Sequence, residues 1–241
     1  MALKKIDYFG RIFNISYEIL NQSANQNIIF LHGWGSNKEL MKQAFGTFCS
    51  DFKHIYIDMP GFGKSSNNYI LTTKDYANII DIFLQHIAID KKSIIIGHSF
   101  GGKVATLLNP SNLILLSSAG IIEKKPLKIK CKIAMAKSLR LLGLSQITKR
   151  FRSDDVANMS ENMYRTFKNV VDEDFSSIFK KFKNNAIIFW GREDKAVSVE
   201  SGKKIESLVK NSKLYILDGD HYFFLYNSKE ICNTINSLVI L

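Results

Sequence analysis

A strand-forming stretch, Ser93 to Ile96, runs directly into Gly97-His98-Ser99-Phe100-Gly101, and a helix-forming stretch, Gly101 to Leu108, follows without a break. No other feature restricts the backbone so strongly. A strand that becomes a helix within five residues must bend sharply, and glycines flank the bend because side chains would collide there. The bend pushes the Ser99 side chain outward, and the first turn of the new helix aims backbone N–H groups towards it. A serine so placed is a candidate nucleophile.

The same alternation runs through the rest of the chain. Short apolar stretches that suit strands covered on both faces are Ile28 to Leu31, Ile55 to Ile57, Leu113 to Leu116, Ala186 to Trp190 and Leu214 to Leu217. Helical patterns stand between or after them, at Glu39 to Cys49, Thr73 to Ile87, Val199 to Val209 and Lys229 to Leu238. This order predicts an α/β fold with a parallel sheet. Only the N-terminus differs: Lys5 to Phe9 and Arg11 to Leu20 alternate apolar and polar residues around Gly10, which predicts an antiparallel hairpin. From Ile121 to about Asn185 the strand pattern gives way to polar, helical sequence. We therefore divide the chain into a core, 1–120 and 186–241, and an insertion, 121–185.

Composition narrows the class of protein. Hydrophobic residues make up 46% and charged residues 23% of the 241 residues, the balance of a globular chain rather than a disordered one. The apolar runs are far shorter than the ~18 residues of a membrane-spanning helix, and Met1 to Phe13 lacks the continuous apolar stretch of a secretory signal, so we expect a cytoplasmic protein. Cys49, Cys131 and Cys232 are widely separated and form no Cys-x-x-Cys pair, so reduced thiols are expected. The five histidines include no pair at the spacing of a helical zinc site, and no metal is expected. The net charge of +11 is concentrated in 121–152, which holds ten basic residues and one acidic residue. Cys131, Ala134, Met135, Leu139 and Leu142 share one side of a helix there, with Lys130, Lys132, Lys137 and Arg140 largely opposite. That pattern suits a helix packed on the protein with solvated lysines, or weak contact with an anionic surface; nucleic acid is not expected, because no nucleic-acid motif accompanies the charge.

A serine hydroxyl needs a general base, and the base needs a carboxylate that fixes its tautomer. Asp194 follows Ala186 to Trp190 in Trp190-Gly191-Arg192-Glu193-Asp194, and His221 follows Leu214 to Leu217 in Asp218-Gly219-Asp220-His221. Both fall at the ends of strands, in the order serine, aspartate, histidine. Glu193 is the rival carboxylate, whereas His32, His54 and His86 read as structural or exposed. An oxyanion hole needs two donors; the backbone N–H of Phe100 is one, and that of Trp34, in His32-Gly33-Trp34-Gly35 after Ile28 to Leu31, is the other.

These motifs, with Asp58-Met59-Pro60-Gly61-Phe62-Gly63-Lys64-Ser65, resemble the α/β-hydrolase superfamily in its capped branch, over essentially the whole chain. The resemblance implies a mostly parallel eight-stranded sheet covered by helices, a helical cap inserted after the sixth strand, an acyl-enzyme mechanism and no cofactor. Such a sheet hosts many chemistries. The expected activity is a serine hydrolase acting on a small, potentially anionic carboxylic ester or related acyl compound. The alternative is a carbon–carbon bond hydrolase of 2-hydroxy-6-oxo-dienoates, which this chain also resembles; a non-catalytic ligand-binding protein of the same fold is a further one. In the dienoate group a cap arginine binds the substrate carboxylate, a role open to Arg165, and His98 and Tyr222, which flank the nucleophile and the histidine, join it as candidate substrate-binding residues. His98 stands where that group usually has asparagine, and Tyr222 where it usually has tryptophan; both departures weigh against carbon–carbon cleavage. The oligomeric state is not indicated.

Overall fold

The computed structural model describes residues 1–123 and 159–239. The basic segment's lysines and arginines, from Lys124 to Arg152, and Cys131 lie outside the described residues.

Eight strands form one sheet: β1 (Ala2–Tyr8), β2 (Arg11–Leu20), β3 (Gln26–Leu31), β4 (Phe52–Ile57), β5 (Ile94–His98), β6 (Asn112–Leu116), β7 (Asn185–Gly191) and β8 (Ser212–Leu217), in the spatial order β1-β2-β4-β3-β5-β6-β7-β8. β1 and β2 pair antiparallel, as expected from their alternation, and close through Phe9 and Gly10, both at positive φ. β2 also runs antiparallel to β4, and every later pair is parallel. The described helices are α1 (Lys38–Phe45), α2 (Thr73–His86), α3 (Phe100–Leu108), α4 (Glu161–Val170), α5 (Ser176–Lys181), α6 (Val199–Leu208) and α7 (Phe224–Val239).

The strands are apolar on successive residues because both faces are covered. Ile29, Leu31, Ile55, Ile57, Ile95, Leu113, Leu115, Ile188 and Trp190 point to one face, where they pack with residues of α2, α3, α4, α5 and α6. Ile28, Phe30, Tyr56, Ile94, Ile96, Ile114, Leu116 and Phe189 point to the other, against α1 and α7. The start of α2 is set locally: Thr72 and Asp75 form a reciprocal capping box. The insertion leaves the sheet after β6, as expected, and its described part is well seated: Met163, Val170, Phe175, Phe179 and Phe182 are buried in the first core.

The expectation of reduced thiols is overturned at two positions. Cys49 and Cys232 form a disulfide across a separation of 183 residues. Packing α1 against α7 brings their Cα atoms within 5.3 Å, an approach that sequence spacing does not record. α7 also starts earlier than its apolar pattern, at Phe224 rather than Lys229.

The strand order reverses at β3, which lies between β4 and β5. A crevice opens beyond the C-terminal ends of strands at such a switch point. The His32–Gly35 loop leaves β3 there, and Ser99 leaves β5 beside it.

Candidate active site

Ser99 is held at φ 49° and ψ −114°, a conformation that strains any residue with a Cβ. The strain is fixed by hydrogen bonds on both sides. Ser99 N–H donates to the Leu116 carbonyl on β6 (3.0 Å), and the Ser99 carbonyl accepts from Gly102 N–H (3.0 Å) and Ala119 N–H (3.1 Å). The neighbouring glycines are required by contact: a Cβ on Gly97 would lie 2.5 Å from the Gly101 carbonyl oxygen, and one on Gly101 would lie 2.4 Å from that of Leu31. Phe100 is the first residue of α3, so its N–H has no acceptor within the helix.

Asp194 and His221 come from different loops and meet. The loop after β7 is laced to the loop after β8 by Arg192 N–H to the Leu217 carbonyl (2.8 Å) and Glu193 N–H to the Gly219 carbonyl (3.0 Å). His221 Nδ1 lies 2.8 Å from Asp194 Oδ2. A carboxylate oxygen only accepts, so Nδ1 carries the proton and Nε2 keeps its lone pair, the tautomer a general base needs. Asp194 is buried, and its Oδ1 accepts from Ala196 N–H (2.8 Å) and Val197 N–H (2.9 Å). Burial works against its charge, but the bonds from His221 and Val197 outweigh burial and hold its pKa below the ordinary value. Glu193, the rival carboxylate, is exposed and accepts from Gly219 N–H at 2.7 Å, steadying the histidine loop.

The second candidate donor is oriented by a histidine whose role the sequence did not reveal. His32 is fully buried; its Nδ1 lies 2.7 Å from the Gly33 carbonyl, and its Nε2 accepts from Met59 N–H at 3.1 Å. Both contacts require the neutral ring with the proton on Nδ1, and burial pulls its pKa down to about 4. The Gly33 carbonyl and the Trp34 N–H belong to one planar trans peptide and point in opposite directions. Drawing the carbonyl onto His32 therefore turns the Trp34 N–H the other way. Gly33 itself lies against the elbow: a Cβ there would meet His98 Nδ1 at 2.8 Å and Ser99 Cβ at 3.3 Å. Beneath this loop, Asp58 accepts from Lys38 N–H (2.8 Å), Lys38 Nζ (2.7 Å) and Lys64 N–H (3.0 Å), a buried ion pair that fixes the neighbouring Asp58–Lys64 turn.

The candidate substrate-binding residues are placed differently from one another. His98 is 1% exposed, so it is not open to a ligand; its Nε2 donates to the His221 carbonyl at 3.0 Å, and the two rings lie 4.6 Å apart. It is a support for the histidine, kept neutral by burial, which lowers its pKa to about 3. Tyr222 is 40% exposed, with its ring 5.5 Å from that of His221. Arg165 is exposed on α4, on the side opposite the buried Met163, Thr166 and Val170. The described fold thus directs Arg165 away from the core-facing side of its helix.

Among the described residues no cluster of histidine, cysteine, aspartate or glutamate is arranged to hold a metal, and no helix is long and apolar enough to cross a membrane.

A family model of the α/β-hydrolase fold matches residues 26–110, which contain the His32–Gly35 loop and the Ser99 elbow. The chain is 26% identical over 235 residues to the uncharacterized hydrolase YugF of Bacillus subtilis, covering 85% of this chain and 86% of that one. In sequence and in fold the chain is similar to the α/β-hydrolase superfamily. This hydrolase is also 37% identical over 90 residues to a pimeloyl-[acyl-carrier protein] methyl ester esterase of Proteus mirabilis, a match covering 36% of this chain and about a third (33%) of that enzyme. Its fold matches the esterase EaEST of Exiguobacterium antarcticum with a TM-score of 0.76 at 20% identity, over 98% of this chain and 99% of that one.

Proposed function

We propose that this hydrolase cleaves a small carboxylic ester through an acyl-enzyme, with Ser99 as nucleophile, His221 as general base and Asp194 as its orienting carboxylate. The observation that carries the reading is the 2.8 Å contact of a buried Asp194 with His221 Nδ1 beside a serine held at positive φ. His221 Nε2 takes the Ser99 proton as Oγ adds to the ester carbonyl carbon. The Trp34 and Phe100 N–H groups receive the oxyanion, each contributing on the order of 3 kcal/mol to the transition state. The intermediate collapses when His221 returns the proton to the departing alkoxide, and water repeats the sequence on the acyl-enzyme to release the acid. The 37% identity over 90 residues to the esterase of Proteus mirabilis supports an ester as the scissile group. In this reading substrate enters past the exposed Tyr222.

Fluorophosphonate labelling followed by peptide mass spectrometry tests the nucleophile without a known substrate. We expect label on Ser99 alone, lost in Ser99→Ala and His221→Ala, and turnover of p-nitrophenyl esters lost with it. Stoichiometric ligand binding without labelling or turnover would establish a binding protein and overturn the reading.

A further inference from the structure

Lys103 is a charged residue that the proposed chemistry does not use. It lies on α3, four residues after Ser99, and is 1% exposed. Its Nζ donates to the Val170 carbonyl and sits 3.5 Å from Glu173 Oε2, which in turn accepts from Thr73 Oγ1 at the start of α2. The ammonium also lies 5.2 Å from the centre of the Phe175 ring and 5.7 Å from that of Phe100. Val170 ends α4, so its carbonyl has no partner within the helix and stands at the negative end of the helix dipole. An ammonium is suited to that position, and three donors let it hold the carbonyl and the carboxylate together.

The helix it grips reaches the oxyanion loop. One turn before Val170, the Phe167 ring lies 5.3 Å from that of Trp34. Trp34 also contacts Phe62 at 4.9 Å and Phe100 at 5.5 Å, so the side chains of both candidate oxyanion donors sit in one aromatic cluster. The flank of α4 is tied separately to the loop before α2, by Leu71 N–H to Thr166 Oγ1 (3.0 Å), Asn162 Nδ2 to the Asn67 carbonyl (2.8 Å) and Asn169 Nδ2 to the Leu71 carbonyl (3.2 Å). Those bonds set the lateral seat of the helix, whereas the Lys103 clamp fixes its end against the helix that carries the nucleophile.

We propose that Lys103 is a positioning residue for the oxyanion hole, gripping the C-terminal end of α4 so that Phe167 holds Trp34 in register with Ser99 and Phe100. The inference rests on the proposed hydrolytic role of those residues. It makes 159–170 a fixed part of the active-site wall rather than a part of a moving lid. Misplacement of one donor weakens binding of the oxyanion and leaves ground-state binding of the ester nearly as it was.

The test compares wild type with Lys103→Met, Lys103→Arg and Phe167→Leu, using p-nitrophenyl butyrate turnover and inhibition by a phenylboronic acid, which forms a tetrahedral adduct on serine. Methionine fills the apolar part of the site without the charge. We expect Lys103→Met to lower kcat about 10-fold with KM within about 2-fold, as a small misplacement does, and to weaken boronate inhibition by the same factor as kcat. Arginine restores part of both, and Phe167→Leu, which leaves the clamp intact, reproduces the pattern at smaller amplitude. A folded Lys103→Met with wild-type kcat, or with kcat lost but boronate affinity retained, would overturn the proposal. Should that variant fail to fold, Phe167→Leu decides: wild-type kcat and boronate affinity overturn the proposal. Fluorophosphonate labelling of wild-type Ser99 separates the two levels, since its absence refutes the hydrolytic reading itself, whereas labelling with an indifferent Lys103 refutes only the clamp.

Discussion

Where the parallel strands begin, left-handed residues lie in ordinary turns that return helices to the sheet: Cys49, Ala88 and Asn109 have φ of 52°, 55° and 53°. Where the strands end, Ser99 and Ser117 have φ of 49° and 43°, and around them are the buried polar groups His32, Asp58, His98 and Asp194. The first edge also carries an open polar cleft lined by Asn25, Gln26, Asp51 and Phe52, yet among the described residues it gathers no comparable set of buried ionisable groups. Concavity alone therefore points away from the candidate site. Strain accompanied by buried, hydrogen-bonded polarity is what distinguishes the candidate site, because such groups persist only where the surroundings over-determine them.

Exchanging the strained serine separates the two edges most sharply. Ser99→Gly should reduce ester turnover at least about 1000-fold, since nucleophile removal is among the most severe losses, while its melting temperature does not fall, because glycine accepts positive φ. Retained turnover would break the distinction. At the other edge, replacing Cys49 and Cys232 by serine should lower unfolding free energy by about 2–4 kcal/mol, measured by urea denaturation, with kcat/KM unchanged. A parallel loss of activity in the folded variant would show that the edges are coupled.

The alternation of strands and helices was legible from the start, because a strand covered on both faces is apolar throughout and a helix is not. The elbow was legible too: its glycines answer to contacts within a few residues of Ser99 and to the adjoining strand. Asp194 was read as the carboxylate and Glu193 as its rival, but the contact that separates them was not legible, since adjacent carboxylates differ only in which one the packed loops turn inward. Nor was the position of Arg165, which depends on how α4 is rotated against the core.

Three smaller effects refine the comparison. Gly101→Ala places a Cβ against the Leu31 carbonyl oxygen, and we expect a loss of about 1–3 kcal/mol in stability by denaturation, as overpacking causes, together with reduced kcat. The histidines supply a pH dependence. The unfolded chain protonates both imidazoles near 6.5, whereas the folded chain does so only near about 4 at His32 and about 3 at His98. The unfolded state thus binds more protons over that interval, and stability falls as pH is lowered. At about pH 5.5 each should cost about 1.4 kcal/mol, so His98→Asn should show a shallower fall in melting temperature between pH 7.5 and 5.5. An identical slope would exclude His98 as a source. The smallest change is at the first edge: Ala88→Gly should add about 0.5–1 kcal/mol in a thermal melt and leave turnover as it was.

By itself the sequence determined the α/β alternation, the hairpin before it, the elbow and the order in which Ser99, Asp194 and His221 arrive at strand ends. Tertiary structure decided which groups face one another: Cys49 with Cys232, His32 with the Met59 N–H, His98 with His221, Lys103 with the end of α4. Periodicity and turn chemistry record the local backbone and its exposure to solvent, whereas these partners are tens to hundreds of residues apart and meet only after the sheet has chosen its strand order and the helices their seats upon it.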